Sequence, residues 1–402
     1  MARKLKRDLT VEEQLARGPL DLPFLMLVLM LTAIGVIMMF SASYADALYE
    51  MGDPTYYFMR QGLFALGGVG VMYVMSKINY QTLRWLSVFV LVGSIILLVM
   101  VKIPGIGSSG GGANRWIRAI GPLPRWQPSE AAKLGVILYF SARLSKRNTE
   151  KKRRFNKRTY TGHFLELLDR IGFLELVPYG VVLAVIAGLL LLQPHLSATI
   201  LILAIGASIL FAAGIRLGWF VAGGSLMAAA LWVVVNATDY MADRIAIWQD
   251  PWSDIQGDGY QIVQSLYSIG SGGLLGLGFG NSRQKFLYLP ELQNDYVFPI
   301  VCEELGFIGA AMILLLFALL IIRGYWLALH ARDRFGALLI VGVTTQVAVQ
   351  VFLNIGVVTN LIPPTGISLP FFSYGGTALV IQLVEMGIVL SVSRQIPAPK
   401  AG

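Results

Sequence analysis

The sequence is short of charge, of cysteine and of histidine, and each shortage removes a class of protein. Only 14% of its 402 residues are charged while 56% are apolar, where a soluble domain carries roughly 25% charged residues. A mean hydropathy of +0.66 leaves too little polar surface to cover a globule in water. That excludes a soluble enzyme, a secreted disulfide scaffold and a disordered chain. The single cysteine, Cys302, excludes an internal disulfide and a cysteine zinc cluster, and three histidines (His163, His195, His330) leave little for a histidine metal site. The 32 Lys and Arg against 23 Asp and Glu give a formal +9. In so apolar a chain that excess points to membrane topology before nucleic acid.

What is present is a series of long apolar runs. A hydrocarbon core about 30 Å thick needs about 20 apolar residues as helix. Windows of that length fall near 22–42, 57–76, 85–101, 129–145, 174–192, 196–213, 218–236, 299–323, 335–359 and 375–394. The expected fold is therefore an all-α polytopic membrane protein of about ten transmembrane helices. Residues 1–21 form one terminal segment, 22–394 the membrane domain and 395–402 a tail. The first run is too long for a signal peptide, and further runs follow it. Ten spans put both termini on one side. Arg3, Lys4, Lys6, Arg7, Arg17, Lys77, Arg84, Arg216, Arg323, Arg332, Arg334 and Arg394 share that side with the run 143–158, which holds nine basic residues and one acid. The positive-inside rule makes it cytoplasmic, and the 143–158 run a topology determinant touching anionic lipid.

The opposite face departs from that rule. The connection 102–128 carries Lys102, Arg115, Arg118 and Arg125 with no acid, around a flexible stretch Ser108–Ala113. The connection 237–298 carries seven acids and three bases. Loops of that length are functional or disordered, and its aromatic and amphipathic content argues for structure, dipping into a cavity at the outer membrane face.

Four constellations on this face could carry chemistry. Asn114-Arg115-Trp116 precedes Gln127-Pro128-Ser129-Glu130 and Lys133, where Glu130 and Lys133 are spaced to pair on one helix. The reading is either a helix start with a local ion pair or a functional pair at membrane depth. Gly270-Ser271-Gly272-Gly273 through Gly280 either lets backbone approach an anionic ligand or acts as a hinge. Asp295 stands where a helix should begin, as an N-cap or as a catalytic carboxylate facing a cavity. Glu303 and Glu304, with Glu385, put at least one acid inside the bundle; proton relay, ion coupling and interhelical hydrogen bonding all remain open. His195, in Gln193-Pro194-His195-Leu196-Ser197, reads as a polar turn residue rather than a metal ligand.

These blocks resemble the SEDS family, the polytopic cell-wall polymerases that include FtsW, RodA and SpoVE. The similarity spans residues 20–395 and rests on the Asn114 to Lys133 block, Gly259-Tyr260-Gln261 with Gln264 through Leu274, Leu289-Pro290-Glu291 with Asp295 and Glu303-Glu304, and Leu369-Pro370-Phe371-Phe372-Ser373-Tyr374-Gly375-Gly376. The segment 278–288 is closer to the FtsW and SpoVE branch. Two positions depart from the family pattern. Gln293-Asn294-Asp295-Tyr296 stands where His-Thr-Asp-Phe is common, and His195 stands where an Asp is common.

The resemblance implies a peptidoglycan glycosyltransferase that polymerises lipid II into β-1,4 strands on the outer face of the bacterial cytoplasmic membrane. It puts the essential carboxylate at Asp295. Arg115, Arg118, Lys133 and Arg244 become candidate pyrophosphate contacts, and Trp116, Glu130, Gln264, Ser271 and Glu291 further substrate contacts. A divalent cation, Mg or Mn, is a candidate cofactor. The implied partner is a class B penicillin-binding protein. Two other classes compete: a lipid II flippase using Glu303, Glu304 and Glu385, and a division scaffold without turnover. Division, elongation and sporulation roles are not separable from one chain.

Overall fold

The computed structural model describes residues 18–110, 113–118, 125–147, 166–170, 172–237, 239–286, 288–290 and 292–396. Among these, helices lie at all ten apolar stretches: α1 (Leu22–Met51), α2 (Tyr56–Lys77), α3 (Gln81–Met100), α4 (Pro128–Leu144), α5 (Phe173–Leu191), α6 (Leu196–Ala212), α7 (Leu217–Ala237), α10 (Val297–Leu329), α11 (Arg334–Val358) and α12 (Gly376–Ser393). Two more, α8 (Asp239–Gln249) and α9 (Tyr260–Ser271), belong to the connection between α7 and α10. Seven of the helices are long and apolar enough to cross a membrane on those grounds alone: α1, α2, α3, α5, α10, α11 and α12. α6 and the described part of α7 are apolar but shorter. α4 has 17 residues and carries a buried ion pair.

α11 and α12 form the centre, with 67% of each spanning window buried against 17% for α5. α12 packs along α2, α10 along α11, and α3 along α4. Leu339, Ile340, Val343 and Val347 of α11 meet Val136, Ile137, Ile205 and Ile209 of α4 and α6 in one apolar cluster. The large apolar side chains left on the outside, such as Leu63, Leu66, Phe89, Leu226 and Ile322, face where lipid would be. One end of the bundle gathers Asp21 with Arg323, Tyr80 and Gln81 with Asp333, and Arg147 and Arg334 on the Ala213 carbonyl. Asp295, the α5–α6 turn and the start of α12 lie at the other end.

The fold is mostly helical rather than all-α. The connection 102–128 folds into an antiparallel hairpin, β1 (Gly107–Gly110) with β2 (Ala113–Ile117), and Ile117 pairs further with Trp126 just before α4. Most of the stretch read as flexible is thus in ladder structure, because glycine and serine pair easily when a partner strand with Trp116 and Ile117 lies opposite; residues 111–112 lie outside the described set.

The least regular part of the core is α10. Gly306 has φ 67° and ψ −172°, so two helical segments meet there across a break. A break at membrane depth strands backbone groups that water cannot reach, and each costs several kcal/mol if unpaired. The glycine-rich segment after α9 supplies the partners. Leu277 and Gly278 N–H donate to the Glu303 and Glu304 carbonyls at 2.9 and 3.0 Å, while Phe307 and Ile308 N–H donate to the Gly273 and Leu274 carbonyls at 2.8 and 3.2 Å.

The two glutamate side chains close the same joint. Ser41 Oγ donates to Glu304 at 2.6 Å, and Lys285 Nζ pairs with Glu304 Oε1 at 3.3 Å. Glu303 accepts from Ser268 Oγ, Ser282 Oγ and the Arg283 and Gln284 N–H groups. Within the glycine run, Gly272 and Gly276 therefore serve backbone-to-backbone contact with α10. A Cβ on Gly276 would stand 2.1 Å from the Glu304 carbonyl oxygen, at a φ of +79° that an L side chain avoids.

Gly276→Ala is expected to abolish the folded protein or lower its melting temperature in detergent by more than ten degrees, an order-of-magnitude figure for a loss of several kcal/mol. Gly62→Ala, in a helical position with open space, is expected to change it little. Lys285→Met, which leaves the Glu304 carboxylate buried without its cation, is expected to cost about 3–5 kcal/mol in the same assay.

Candidate functional site

Asp295 ends the α7–α10 connection, one residue before the N-cap of α10. That cap is Tyr296, whose side chain makes no capping bond, so Asp295 does not occupy the capping position its sequence context suggested. The segment 293–296 is held from several sides. Asn354 Nδ2, on buried α11, donates to the Asp295 carbonyl at 2.8 Å and to the Ile367 carbonyl at 2.6 Å. Tyr374 N–H donates to the Gln293 carbonyl at 2.6 Å. The loop between α11 and α12 comes so close that a Cβ on Gly366 would lie 3.1 Å from Asp295 Oδ2, and Gly366 has φ +63°. Only glycine brings that loop against the carboxylate without strain.

The same loop collects other groups. Arg244, on α8, donates from Nη1 to the Pro364 carbonyl at 2.9 Å, and Trp248 and Asn360 exchange bonds of 3.1 Å that lock α8 to the end of α11. Burial raises the Tyr296 phenol above its ordinary range; the Asp295 carboxylate adds to this and the Arg244 guanidinium opposes it, so both charges act on Tyr296. Ser197 Oγ, in the first turn of α6, donates to the Gly366 carbonyl at 3.2 Å. From Asp295 the site therefore runs across Gly366 to the α5–α6 turn.

At that turn the basic hairpin takes hold. Lys102 Nζ donates to the Leu192 carbonyl, Arg115 Nη2 to the Pro194 carbonyl, and Gln193 Nε2 to the Leu98 carbonyl. His195 is the N-cap residue of α6, only 7% exposed, with Nδ1 unpartnered and Nε2 3.5 Å from Gln127 Nε2. Burial, with Arg115 and Lys133 close by, pushes its pKa down to about 3, so the ring is neutral. Lys133 is almost fully buried and holds Glu130 at 2.6 Å. Gln346 Nε2 of α11 donates to Glu385 Oε2 at 2.7 Å, and the Glu130–Lys133 pair lies within electrostatic range of Glu385.

The sequence candidates divide accordingly. Asp295, Arg244, Arg115, Glu130 and Lys133 converge on the α5–α6 turn and the α11–α12 loop. Trp116 is half-buried in β2, and Arg118 is exposed after it. Gln264 is half-buried on α9, on the same side as Ser268, which bonds the Pro299 carbonyl. Ser271 is exposed and donates to the Ser268 carbonyl of its own helix. Glu291 lies outside the described residues. Glu303 and Glu304 are spent on the joint. Asn354, Gly366 and Ser197 were missed; the amides Gln346, Gln350 and Asn354, spaced four apart in the apolar run of α11, were a signal available for Asn354.

The site offers the Asp295 carboxylate, Arg244 acting on the adjacent Tyr296, Arg115 with the Lys133–Glu130 ion pair, and a neutral imidazole. Gln293 Oε1, Asn354 Oδ1 and Thr365 Oγ1, all within the segments packed around Asp295, are buried without a hydrogen-bond partner. Among the described residues no three or more His, Cys, Asp or Glu cluster as a metal cage.

Since the His195 pKa is depressed when folded, the folded state binds fewer protons than the unfolded one between about pH 3 and the unfolded value near 6.5. Thermal stability in detergent is expected to fall as pH drops through that window, and His195→Gln to flatten this part of the profile.

The chain matches the family model for FtsW, RodA and SpoVE, described as cell cycle proteins, over residues 22–397. It is 39% identical to the probable peptidoglycan glycosyltransferase FtsW of Geobacter sulfurreducens, over 94% of this chain and 95% of that one. It is 40% identical to the stage V sporulation protein E of Bacillus subtilis, over 93% of this chain and 97% of that one. Among solved structures, a chain of a peptidoglycan synthase complex superposes with a TM-score of 0.73 at 28% identity, covering 93% of this chain and 98% of that one. The rod shape determining protein RodA of Thermus thermophilus superposes with a TM-score of 0.65 at 26% identity, covering 94% and 98%. A helical bundle with seven spans identifiable by length and hydropathy, and an order of motifs shared with these proteins over nearly its whole length, make this chain a multi-pass membrane protein of the FtsW/RodA/SpoVE family.

Proposed function

We propose that the chain is a peptidoglycan glycosyltransferase that polymerises lipid II, working at the outer face of the bacterial cytoplasmic membrane, with all ten long helices spanning and both termini cytoplasmic. The observation that carries the reading is the position of Asp295. It is outside the helix cap and wedged against Gly366, with Arg244 acting on the neighbouring Tyr296, at the bundle end opposite the arginine-rich one. The relatives called FtsW are named for this activity.

The chemistry asks for little else. Lipid II carries its sugar on an α-linked pyrophosphate, and a β-1,4 product requires one inversion. The acceptor hydroxyl must lose a proton as it attacks, and Asp295 takes it as general base. A glycosidase must protonate an alkoxide leaving group; a pyrophosphate leaves unprotonated once cations meet its developing charge. Arg244, Arg115 and Lys133 supply that charge. Arg115 and Arg244 each keep donors beyond the one that holds a carbonyl, since a guanidinium has five. The neutral His195 adds a polar contact without adding positive charge.

A hard divalent cation fits this donor set as one arriving with the substrate. Mg is usually bound by one or two carboxylates plus substrate phosphates rather than by an all-protein cage. Asp295 and the Gln293 and Thr365 oxygens would hold Mg or Mn, which would neutralise pyrophosphate charge. The partner in this reading is a class B penicillin-binding protein, supported by the likeness to a chain of a peptidoglycan synthase complex. The flippase reading needs mobile intramembrane acids, and here Glu303 and Glu304 hold the α10 joint together.

With labelled lipid II and the partner present, the wild-type chain is expected to yield glycan strands. Asp295→Asn is expected to reduce the rate by at least about 10²-fold, the lower range for a general base, without lowering expression or melting temperature. Strand synthesis at the wild-type rate in that variant sinks the assignment. Chelation by EDTA, read in the same gel, is expected to slow synthesis and Mg or Mn to restore it.

A further inference from the structure

At the bundle end opposite Asp295 lies a cavity of about 110 Å³ between the end of α4, the start of α5 and the α6–α7 turn. The volume is several times the roughly 30 Å³ share of a water molecule, and a phosphate group fits it. Arg147, Arg170 and Arg216 line it. Arg147 is partly spent: its Nε pairs with Glu175 and its Nη1 donates to the Ala213 carbonyl. Arg170 and Arg216 are exposed, with no ion pair or side-chain hydrogen bond among the described residues. Asp169 also lines the cavity, so with Glu175 neutralised by Arg147 the balance left is two guanidinium groups against one carboxylate.

Two further features favour an anion. α5 begins at the cavity wall with Gly172 as its N-cap, in the left-handed region at φ 83°, with no side-chain cap. The positive end of that helix therefore faces the cavity without a competing capping oxygen. Trp219, also in the wall, has its indole nitrogen 3.8 Å from where a Gly172 Cβ would stand. The rim is apolar: Phe173 packs on Trp219 with ring centroids 5.5 Å apart, and Phe173 and Leu217 are exposed. Aromatic side chains at this level mark the membrane–water interface. An anionic pocket ligand beside an apolar rim is the signature of a headgroup whose acyl chains lie along the helices, and basic pockets between helices at the cytoplasmic face take such headgroups.

We infer that this cavity binds the phosphate of an anionic phospholipid and so ties the cytoplasmic ends of α4, α5 and α7 together. It takes Arg147 from the basic run 143–158 and Arg170 and Arg216 from outside it, and it uses the orientation proposed above but not the glycosyltransferase reading. Occupancy would matter most for α7, which packs mainly on α8 and exposes Leu217, Val221, Leu226 and Trp232.

The full chain in detergent would be given phosphatidylglycerol and phosphatidylcholine in equal amounts and the retained lipid counted by native mass spectrometry. Wild type is expected to keep phosphatidylglycerol over phosphatidylcholine, and the Arg170→Gln, Arg216→Gln double variant to bind it about thirtyfold more weakly, the size expected for two lost charges at a lipid surface. Its melting temperature and glycan synthesis are expected to be unchanged, which separates failure here from failure of the enzymatic reading. Equal phosphatidylglycerol retention by variant and wild type overturns the inference. Full competition by millimolar inorganic phosphate overturns the lipid assignment and leaves a free-anion site. Should the double variant not fold, Arg216→Gln alone gives the same comparison, with equal retention again overturning it.

Discussion

The structure depends on one joint: the break in α10 at Gly306 and the glycine-rich segment that fills it. In a hydrocarbon environment an interrupted helix is tolerated only where protein satisfies the freed backbone groups. Here four main-chain hydrogen bonds, two glutamates, a lysine and three serines do so. The arrangement is cooperative in the strict sense. Glu304 is buried with Lys285, Lys285 is held by the 280 carbonyl, and that segment stays in place because its N–H groups complete the helix. Removing any one member leaves another polar group in a dry place, where its cost is greatest.

That joint has a consequence at the end of the bundle that carries Asp295. The first segment of α10, Val297 to Leu305, is short and buried on nearly all sides, and it carries Asp295 at its head. Its direction is set by the joint below and by Asn354 above, which bonds both the Asp295 and Ile367 carbonyls. The loops that surround the acid are fixed in the same manner. Arg244, Arg115 and Lys102 each donate to a carbonyl in or at the edge of these loops, and Gln193 of the α5–α6 turn reaches the Leu98 carbonyl near the end of α3. The cations at this end of the bundle thus order the site and charge it at once.

Much of the architecture was legible because a bilayer imposes a length and a composition on whatever crosses it. All ten apolar windows coincide with helices, and the Glu130–Lys133 spacing did form a pair. The failures have physical causes. A run of glycines looks the same whether the close approach is to a ligand or to another backbone, so Gly272 and Gly276, read as approaching a ligand or forming a hinge, turn out to meet α10. Glycine and serine between two short segments hid a hairpin, since β1 has almost no side-chain pattern to show. Asp295 and its N-cap alternative differ by one residue of helix start, which sequence does not resolve. Asn354 and Gly366 act through long-range contacts that no local pattern carries.

The departures from the family pattern around the acid become intelligible in this frame. The segment carrying Gln293, Asn294 and Tyr296 is held mainly through its main chain, by Asn354 on the Asp295 carbonyl and by the Tyr374 N–H on the Gln293 carbonyl. Side chains flanking Asp295 can therefore vary while the carboxylate keeps its place, provided position 366 stays glycine. His195 follows a different rule. An aspartate there would add negative charge within electrostatic range of Arg115 and of the Lys133–Glu130 pair, and the buried neutral imidazole does not. In the proposed reaction that leaves more positive potential for a pyrophosphate at the α5–α6 turn. The general base and the leaving-group site would then be tuned separately, one by Gly366 and Asn354, the other by the residue at 195.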